Sequence, residues 1–324
     1  MDGTMGSKNV DMDRAAPGRS YREGISLMEL ADLFPNEDTA RGWFESLLWP
    51  DGEMCCLKCG SVNAYRVKSG KPQPYRCRDC KSYFSLKTGT ALAGSNLTLR
   101  QWAWGIYLVV THLKSISSMK LHRDLKVTQK TAWFMLHRIR EAFGDMLTDL
   151  EGPVEVDETH IGGIKGNMHA KKRRTLPEGR GPTHMTTVVG MKDRKTNKVV
   201  VRVIDNATQE RLHAFVESHR REGAKVYTDE ARGYKGLKNH ETVKHTAGEY
   251  VRDQAHTNGI ESFWSMLKRA HKGTFHHFSV KHLERYAYEF AGRHNIRDMD
   301  TVDQMAHVVM GMIGKRLLYR ELVA

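Results

Sequence analysis

The chain has 324 residues, 40% of them hydrophobic, which is enough for two or three soluble domains with a sizeable core. Its 51 Lys and Arg against 38 Asp and Glu give a formal charge of +13 and a pI near 9.5, a balance that points to a polyanionic partner, nucleic acid ahead of a membrane surface. No run of about 18 apolar residues and no charged-then-apolar leader occurs, so neither a membrane span nor secretion is expected and the protein is placed in the cytoplasm.

Residues 1–24 are polar and rich in Gly, Arg and Asp, and read as a tail that does not fold alone. From Ser26 the pattern turns helical, with Leu27, Leu30 and Leu33 near one face as far as Pro35. A second short helix is expected over Glu37 to Leu48, and Trp49-Pro50-Asp51-Gly52 closes this helical lead-in, residues 25–52, with a turn.

Residues 53–90 carry Cys56-Leu57-Lys58-Cys59 and Cys77-Arg78-Asp79-Cys80, two C-x-x-C knuckles with residues 60–76 between them. That is zinc-ribbon spacing: each knuckle supplies a thiolate pair, and Tyr65, Val67, Tyr75 and Arg76 suit β-structure between the pairs. A redox C-x-x-C needs a βαβ context that the flanking sequence lacks. Five cysteines in all fit a reducing compartment, and Cys55 is left over as a spectator.

Over residues 96–148 an apolar helix is expected from Thr98 to His112 through Trp102, Ile106 and Val109, then a second from Ser117 to Leu125. Lys126-Val127-Thr128 breaks the pattern, and Thr128 can cap a third helix, Gln129 to Phe143, which buries Ala132, Met135 and Ile139 and presents Gln129, Lys130, Arg138 and Arg140 elsewhere. This is a candidate helix-turn-helix whose last helix would read a major groove, with an ordinary three-helix bundle as the alternative; the neighbouring ribbon and the net charge favour DNA.

After Gly152-Pro153 the period becomes that of strands. Val154 to Ile161 reads as a buried strand delivering Asp157, Thr186 to Met191 and Lys198 to Ile204 as a hairpin, Gln209 to His219 as a helix, and Lys225 to Asp229 as a strand ending on a second aspartate. A helix beginning near Asn258 carries Glu261 on its first turn, and Trp264 is expected to pack that helix onto the sheet. The order resembles the ribonuclease H fold. The fold class is therefore α/β: a ribonuclease H-like catalytic domain, residues 152–298, preceded by the zinc ribbon and the helix-turn-helix and followed by a C-terminal helix over 299–324. Between the first two strands, Lys165, Lys171, Lys172, Arg173, Arg174 and Arg180 face a single acid, Glu178; the segment is either a solvated loop or a flap that grips phosphates. His256, His271, His276 and His277 show no ligand spacing.

The ribbon, Met119-Lys120-Leu121-His122-Arg123-Asp124-Leu125, Val156-Asp157-Glu158-Thr159, Tyr227-Thr228-Asp229 and His256-Thr257-Asn258-Gly259-Ile260-Glu261-Ser262-Phe263-Trp264 together resemble the DDE transposases of insertion-sequence family fifteen ninety-five, from about Phe34 to about Arg297. The resemblance implies a mobile-element recombinase that binds double-stranded DNA at terminal inverted repeats, cleaves the element ends and joins the 3′-hydroxyl to target DNA, as a homo-oligomer at the nucleoid. By position it implies Asp157 and Asp229 as the first two acids and Lys268 as the lysine after the third. The third is Glu261 or Asn258, since members use either. Glu261 is the stronger ligand for a hard cation and Asn258 the natural helix cap.

Three such acids can hold two magnesium ions, with manganese as a substitute, for in-line phosphoryl transfer. Each acid taken singly is equally a solvated strand end or helix face, and Lys268 a solvated lysine or a phosphate contact. A non-catalytic DNA-binding regulator, with the nuclease-like part kept for assembly, is the competing class; three converging acids argue against it.

Overall fold

Side-chain caps decide where the first helices begin. The structure, a computed structural model, describes residues 22–144, 150–163, 168–174, 185–229, 232–242 and 257–324; the expected tail lies almost wholly outside them. In α1 (Leu27–Leu33) Ser26 and Glu29 form a reciprocal capping box, and in α2 (Glu37–Leu48) the Asn36 carboxamide oxygen accepts the amides of Asp38 and Thr39. Only Leu30 of the three expected leucines is buried; Leu27 and Leu33 face out, because α1 meets the core through Leu30 and the following Phe34.

The strands β1 (Ala64–Arg66), β2 (Tyr75–Cys77) and β3 (Tyr83–Phe84) form an antiparallel sheet in that order. Glu45 of α2 accepts from both Tyr75 and Arg66, which fastens the small sheet to the helices. In α3 (Leu99–Thr111) the capping box of Thr98 and Gln101 is supplemented from a distance: the Glu37 carboxylate accepts the Leu99 and Arg100 amides at 2.9 Å each. Then come α4 (Ser118–Leu125), capped by Ser117, and α5 (Gln129–Glu141), capped by Thr128, with Lys126 in the left-handed region between them.

A second sheet follows, built from β4 (Val154–Ile161), the short helix α6 (Ala170–Arg174), β5 (Thr186–Asp193), β6 (Val199–Ile204), α7 (Gln209–His219), β7 (Val226–Thr228), β8 (His240–Thr242), α8 (Asn258–Ala270) and α9 (Val280–Asn295). Its strand order is β6-β5-β4-β7-β8; β4, β5 and β6 pair antiparallel, and β7 and β8 run parallel to β4. Alternation along the strands splits the apolar residues between two faces. Val154, Val156, Val189 and Met191 meet α7 through Leu212 and Phe215. Ile161, Val188, Val199 and Val201 meet α8 and α9 through Ile260, Trp264 and Phe290. The edge of β6 is closed by Asn295, whose carboxamide bonds both the amide (2.7 Å) and the carbonyl (2.8 Å) of Val199.

The expected single C-terminal helix is two, α10 (Thr301–Gly311) and α11 (Tyr319–Val323). The break is set by Gly314 at φ +74° and by the return of the chain to residues 89–91, where the Met312 carbonyl accepts the Ala91 amide and the Gly314 amide donates to Gly89. Met305, Val308 and Met312 thereby enter the same core as Leu30, Phe44, Trp102 and Ile139.

The helix α5 is clasped between these parts. Arg140 and Glu289 of α9, each 1% exposed, pair at 2.7 Å, and the Arg140 guanidinium lies 3.9 Å from the Tyr286 ring centre. Arg138 is 5% exposed and stacks on Phe134 at 4.1 Å. Both arginines were expected on an outer face. They are covered because α9 and Tyr319 of α11 close over a side of α5 that sequence pattern leaves open.

Candidate active site and metal centre

The four-cysteine cluster assembles from two knuckles whose backbones turn on themselves: the Gly60 amide donates to Cys56 and the Cys77 amide to Ser82. The Sγ atoms of Cys56 and Cys80 lie 3.8 Å apart, those of Cys59 and Cys77 3.7 Å, and all four lie within 4.8 Å of one another. A zinc ion with tetrahedral bonds of about 2.3 Å requires thiolate separations of about 3.8 Å, so the donor set fits that ion. A disulfide, at about 2.05 Å, is excluded for these pairs. Cys55 is half-buried beside the core and outside the cluster.

In the larger sheet, β4 and β7 run parallel with Glu155 level with Tyr227. Two residues further along each strand, that register brings Asp157 level with Asp229. Asp157 pairs across β4 and β5 with Gly190, and a Cβ at Gly190 would come within 2.6 Å of the Trp264 ring. The missing side chain lets α8 lie close on the sheet over Asp157, with Trp264 buried as the anchor that the sequence suggested. Burial pushes the Asp157 carboxyl up to about 6, and the negative charges of Asp229 and Glu261 push in the same direction. Asp157 of β4 therefore lies within electrostatic reach of acids from the end of β7 and from α8. Among the described residues they do not close to within 4.8 Å as the thiols do.

Two acids that the sequence did not single out belong to this region. Glu158 turns to the opposite face of β4, against Tyr234; burial, with the charges of Asp229 and Asp157, holds it up to about 7. Glu155 shares the Asp157 face. One of its oxygens accepts the Ile260 amide at 3.0 Å and the other the Arg194 Nε–H at 2.8 Å, so a buried carboxylate occupies the N-terminus of α8. The signal was present for Glu155: an acid two residues before Asp157, flanked by valines, has nowhere to point but inward.

Residues 149–295 match the ISXO2-like transposase domain, and residues 35–82 match the transposase zinc-ribbon domain. A Halobacterium salinarum protein, described as an uncharacterized protein in transposable element ISH50, is 30% identical over 249 residues, spanning 73% of this chain and 83% of its own length. The chain belongs to the IS1595 transposase family.

In this transposase Glu261 sits on the first turn of α8 and accepts from Thr257 Oγ1 at 3.1 Å. Thr257, buried, holds the cap position; Asn258, expected as the cap, is the exposed first residue of the helix. Lys268 is exposed two turns on, and its charge acts on His160 of β4. Gln129 and Lys130 are exposed at the start of α5, where Gln129 donates to Ser118 Oγ at 2.9 Å and Lys130 lies over Tyr319 at 4.3 Å. Arg138, expected beside them, is in the interior. Lys171, Arg173 and Arg174 are exposed on α6, whereas the side chain of Lys172, together with Lys165, Glu178, Arg180 and His256, lies outside the described residues. No helix among those residues is long and apolar enough to cross a membrane.

Proposed function

We propose that the chain is an active DDE-type DNA transposase, which binds the terminal inverted repeats of its element, cleaves DNA at the ends and joins the 3′-hydroxyl to target DNA. Residues 152–298 are read as a ribonuclease H-like catalytic domain, a reading supported by the strand order β6-β5-β4-β7-β8 with helices on both faces. Residues 53–90 form the ribbon, carrying one structural zinc on Cys56, Cys59, Cys77 and Cys80, and residues 96–148 a helix-turn-helix. The protein acts in the cytoplasm at the nucleoid, and pairing two element ends calls for a homo-oligomer.

The observation that carries the catalytic assignment is the parallel register of β4 and β7, which puts Asp157 level with Asp229, beneath the helix α8 that carries Glu261 on its first turn. A carboxyl such as Asp157, pushed up by burial and by neighbouring acids, sits where a divalent cation would favour its charged form. Two magnesium ions, or manganese in their place, would be held there and would polarise the scissile phosphate and activate the attacking hydroxyl. Asp157 and Asp229 hold the centre from the strands and Glu261 from the helix. Asn258, exposed one residue into α8, is the alternative third ligand, and Lys268 contacts phosphate from the same helix. Gln129 and Lys130 face the groove from the exposed start of α5, where a recognition helix makes its base contacts. Lys171, Lys172, Arg173 and Arg174 add affinity that does not depend on sequence.

The test is divalent-dependent nicking of a duplex that carries the element end. Asp157→Asn and Glu261→Gln should lower the rate by more than about a hundredfold while binding is retained. If the wild-type chain binds ends but never nicks, it is a regulator; if Asn258→Ala is dead and Glu261→Gln is active, Asn258 is the ligand.

A further inference from the structure

A cavity of about 560 Å³ lies between residues 94–97, one side of α5 from Lys130 to Arg138, and Tyr319 of α11. Three cations, Lys126, Lys130 and Arg138, line it together with Trp102, Phe134 and Tyr319, and no carboxylate is among its lining residues. Arg138 is the unusual member. It is 95% buried by its 5% exposure, its Nε has no hydrogen-bond partner, and among the described residues it makes no ion pair. A guanidinium withdrawn from water without an anion is a costly arrangement, and buried arginines are ordinarily paired. Here the aromatic face of Phe134 supports the cation from one side and the cavity opens on another. The opposite wall is held in place by Lys87, which donates to the carbonyls of Ser95 (3.0 Å) and Leu97.

We propose that this cavity is a phosphate-binding pocket, in which Arg138, with Lys126 and Lys130 at the rim, clamps one backbone phosphate of a DNA strand lying across α4 and α5. Arginine is suited to this task, because its planar fork meets phosphate oxygens two at a time and is more weakly hydrated than an ammonium. A strand following the exposed start of α5 passes the rim lysines before it reaches Arg138. The contact is to backbone, so it fixes the register of α5 on the duplex and reads no base. The inference rests on the proposed DNA-facing role of α4 and α5, and the free anion provides a test that does not.

The full-length chain is titrated with inorganic pyrophosphate and, separately, with a random-sequence duplex of about 30 base pairs over a range of salt. In the wild type, millimolar pyrophosphate should raise the melting temperature and compete with the duplex. Arg138→Gln should abolish both effects, weaken duplex binding on the order of tenfold and reduce the slope of log affinity against log salt by about one. Asn96→Asp, an exposed change on the cavity wall, should act in the same direction by adding a negative charge to a lining that has none. Equal pyrophosphate stabilisation of wild type and both variants overturns the pocket, as does duplex binding with an unchanged salt slope in both. Pyrophosphate binding that depends on Arg138, in a chain that fails to bind the duplex, leaves the pocket standing and removes the DNA-facing role of α4 and α5.

Discussion

Glu155 and Ile260, 105 positions apart in sequence, are joined by a hydrogen bond of 3.0 Å from the Ile260 amide to the buried Glu155 carboxylate. Because Glu155 also holds Arg194 at 2.8 Å, it ties the start of α8 to the strand that carries Asp157. Glu155→Gln should destabilise the protein by about 1–3 kcal/mol, since it removes the charge from a mostly buried ion pair and from the acceptor of the Ile260 amide. Nicking should fall while duplex binding persists, because α8 loses its anchor and Glu261 its position. Gly259→Ala should act similarly, as its Cβ would lie 2.7 Å from Glu155 Oε2. Thermal melts with and without DNA decide the matter, and a melting point equal to wild type in Glu155→Gln would refute the anchoring role.

Gly190 is the other close approach. A methyl group there meets Trp264 at 2.6 Å and Ile260 at 3.1 Å, both buried side chains of α8. Gly190→Ala should cost about 1–3 kcal/mol through overpacking and should lower nicking by displacing the helix from Asp157. The more conservative Trp264→Phe, which shrinks the ring, should restore part of the activity in the double variant. Additive losses in that pair, measured in a double-mutant cycle, would show that the two residues do not share the contact.

Zinc should be present at one ion per chain in protein purified without chelator. Cys77→Ser removes a buried ligand and should lose the metal along with the ordered ribbon, as small zinc domains do. Cys55→Ser, outside the cluster, should keep both. Elemental analysis of the two variants checks the assignment, and retention of full zinc in Cys77→Ser would remove Cys77 from the shell.

Two buried histidines should make stability fall as pH drops below about 6.5, the ordinary histidine pKa, against an opposite contribution from Asp157 and Glu158, whose raised pKa values let the fold hold extra protons in that range. Burial holds His137 far below that value, with Arg140, His282 and Arg285 opposing its protonation, and burial holds His294 down at about 3, helped by Arg297 and Lys192. Below the unfolded pKa the unfolded chain takes up protons that the folded chain refuses, so folding free energy declines by up to about 1.4 kcal/mol per pH unit for each such group. Above that pH both states are neutral at these sites and the dependence vanishes. His137→Phe should flatten the slope between pH 6.5 and 5 in denaturant melts. An identical slope in the variant would mean that His137 is protonated in the fold.

Much of the architecture follows from short-range pattern. The C-x-x-C pairs announce the ribbon, Thr98, Ser117 and Thr128 cap the helices they precede, and the valine-rich run around Asp157 can only be an interior strand. What pattern misses are partners supplied from far along the chain. Arg140 looks like a solvated cation until Glu289, 149 residues later, is brought against it. Arg138 is hidden in the same way by Tyr319 and the loop at 94–97. Glu155 and Glu158 read as ordinary strand acids because burial, which gives them their chemistry, is a property of the assembled layers. The strand β8 and the division of the C-terminus into α10 and α11 were likewise unreadable, being three-residue pairing and a glycine turn stabilised by tertiary contact.

The return of α10 to the first core bears on the order in which the molecule is made. Met305, Val308 and Met312 leave the ribosome after the whole of the larger sheet, yet they fill space between helices that precede it. The Thr301 amide likewise closes onto Glu23, and the Ala91 amide waits for Met312. Domains generally fold as they are synthesised, N-terminal first, but here the first helices remain incomplete until α10 has been made. A chain that stops before α10 therefore carries an unfinished core around Trp102 and Ile139, and the helices that the proposed function turns towards DNA are completed only by this later segment.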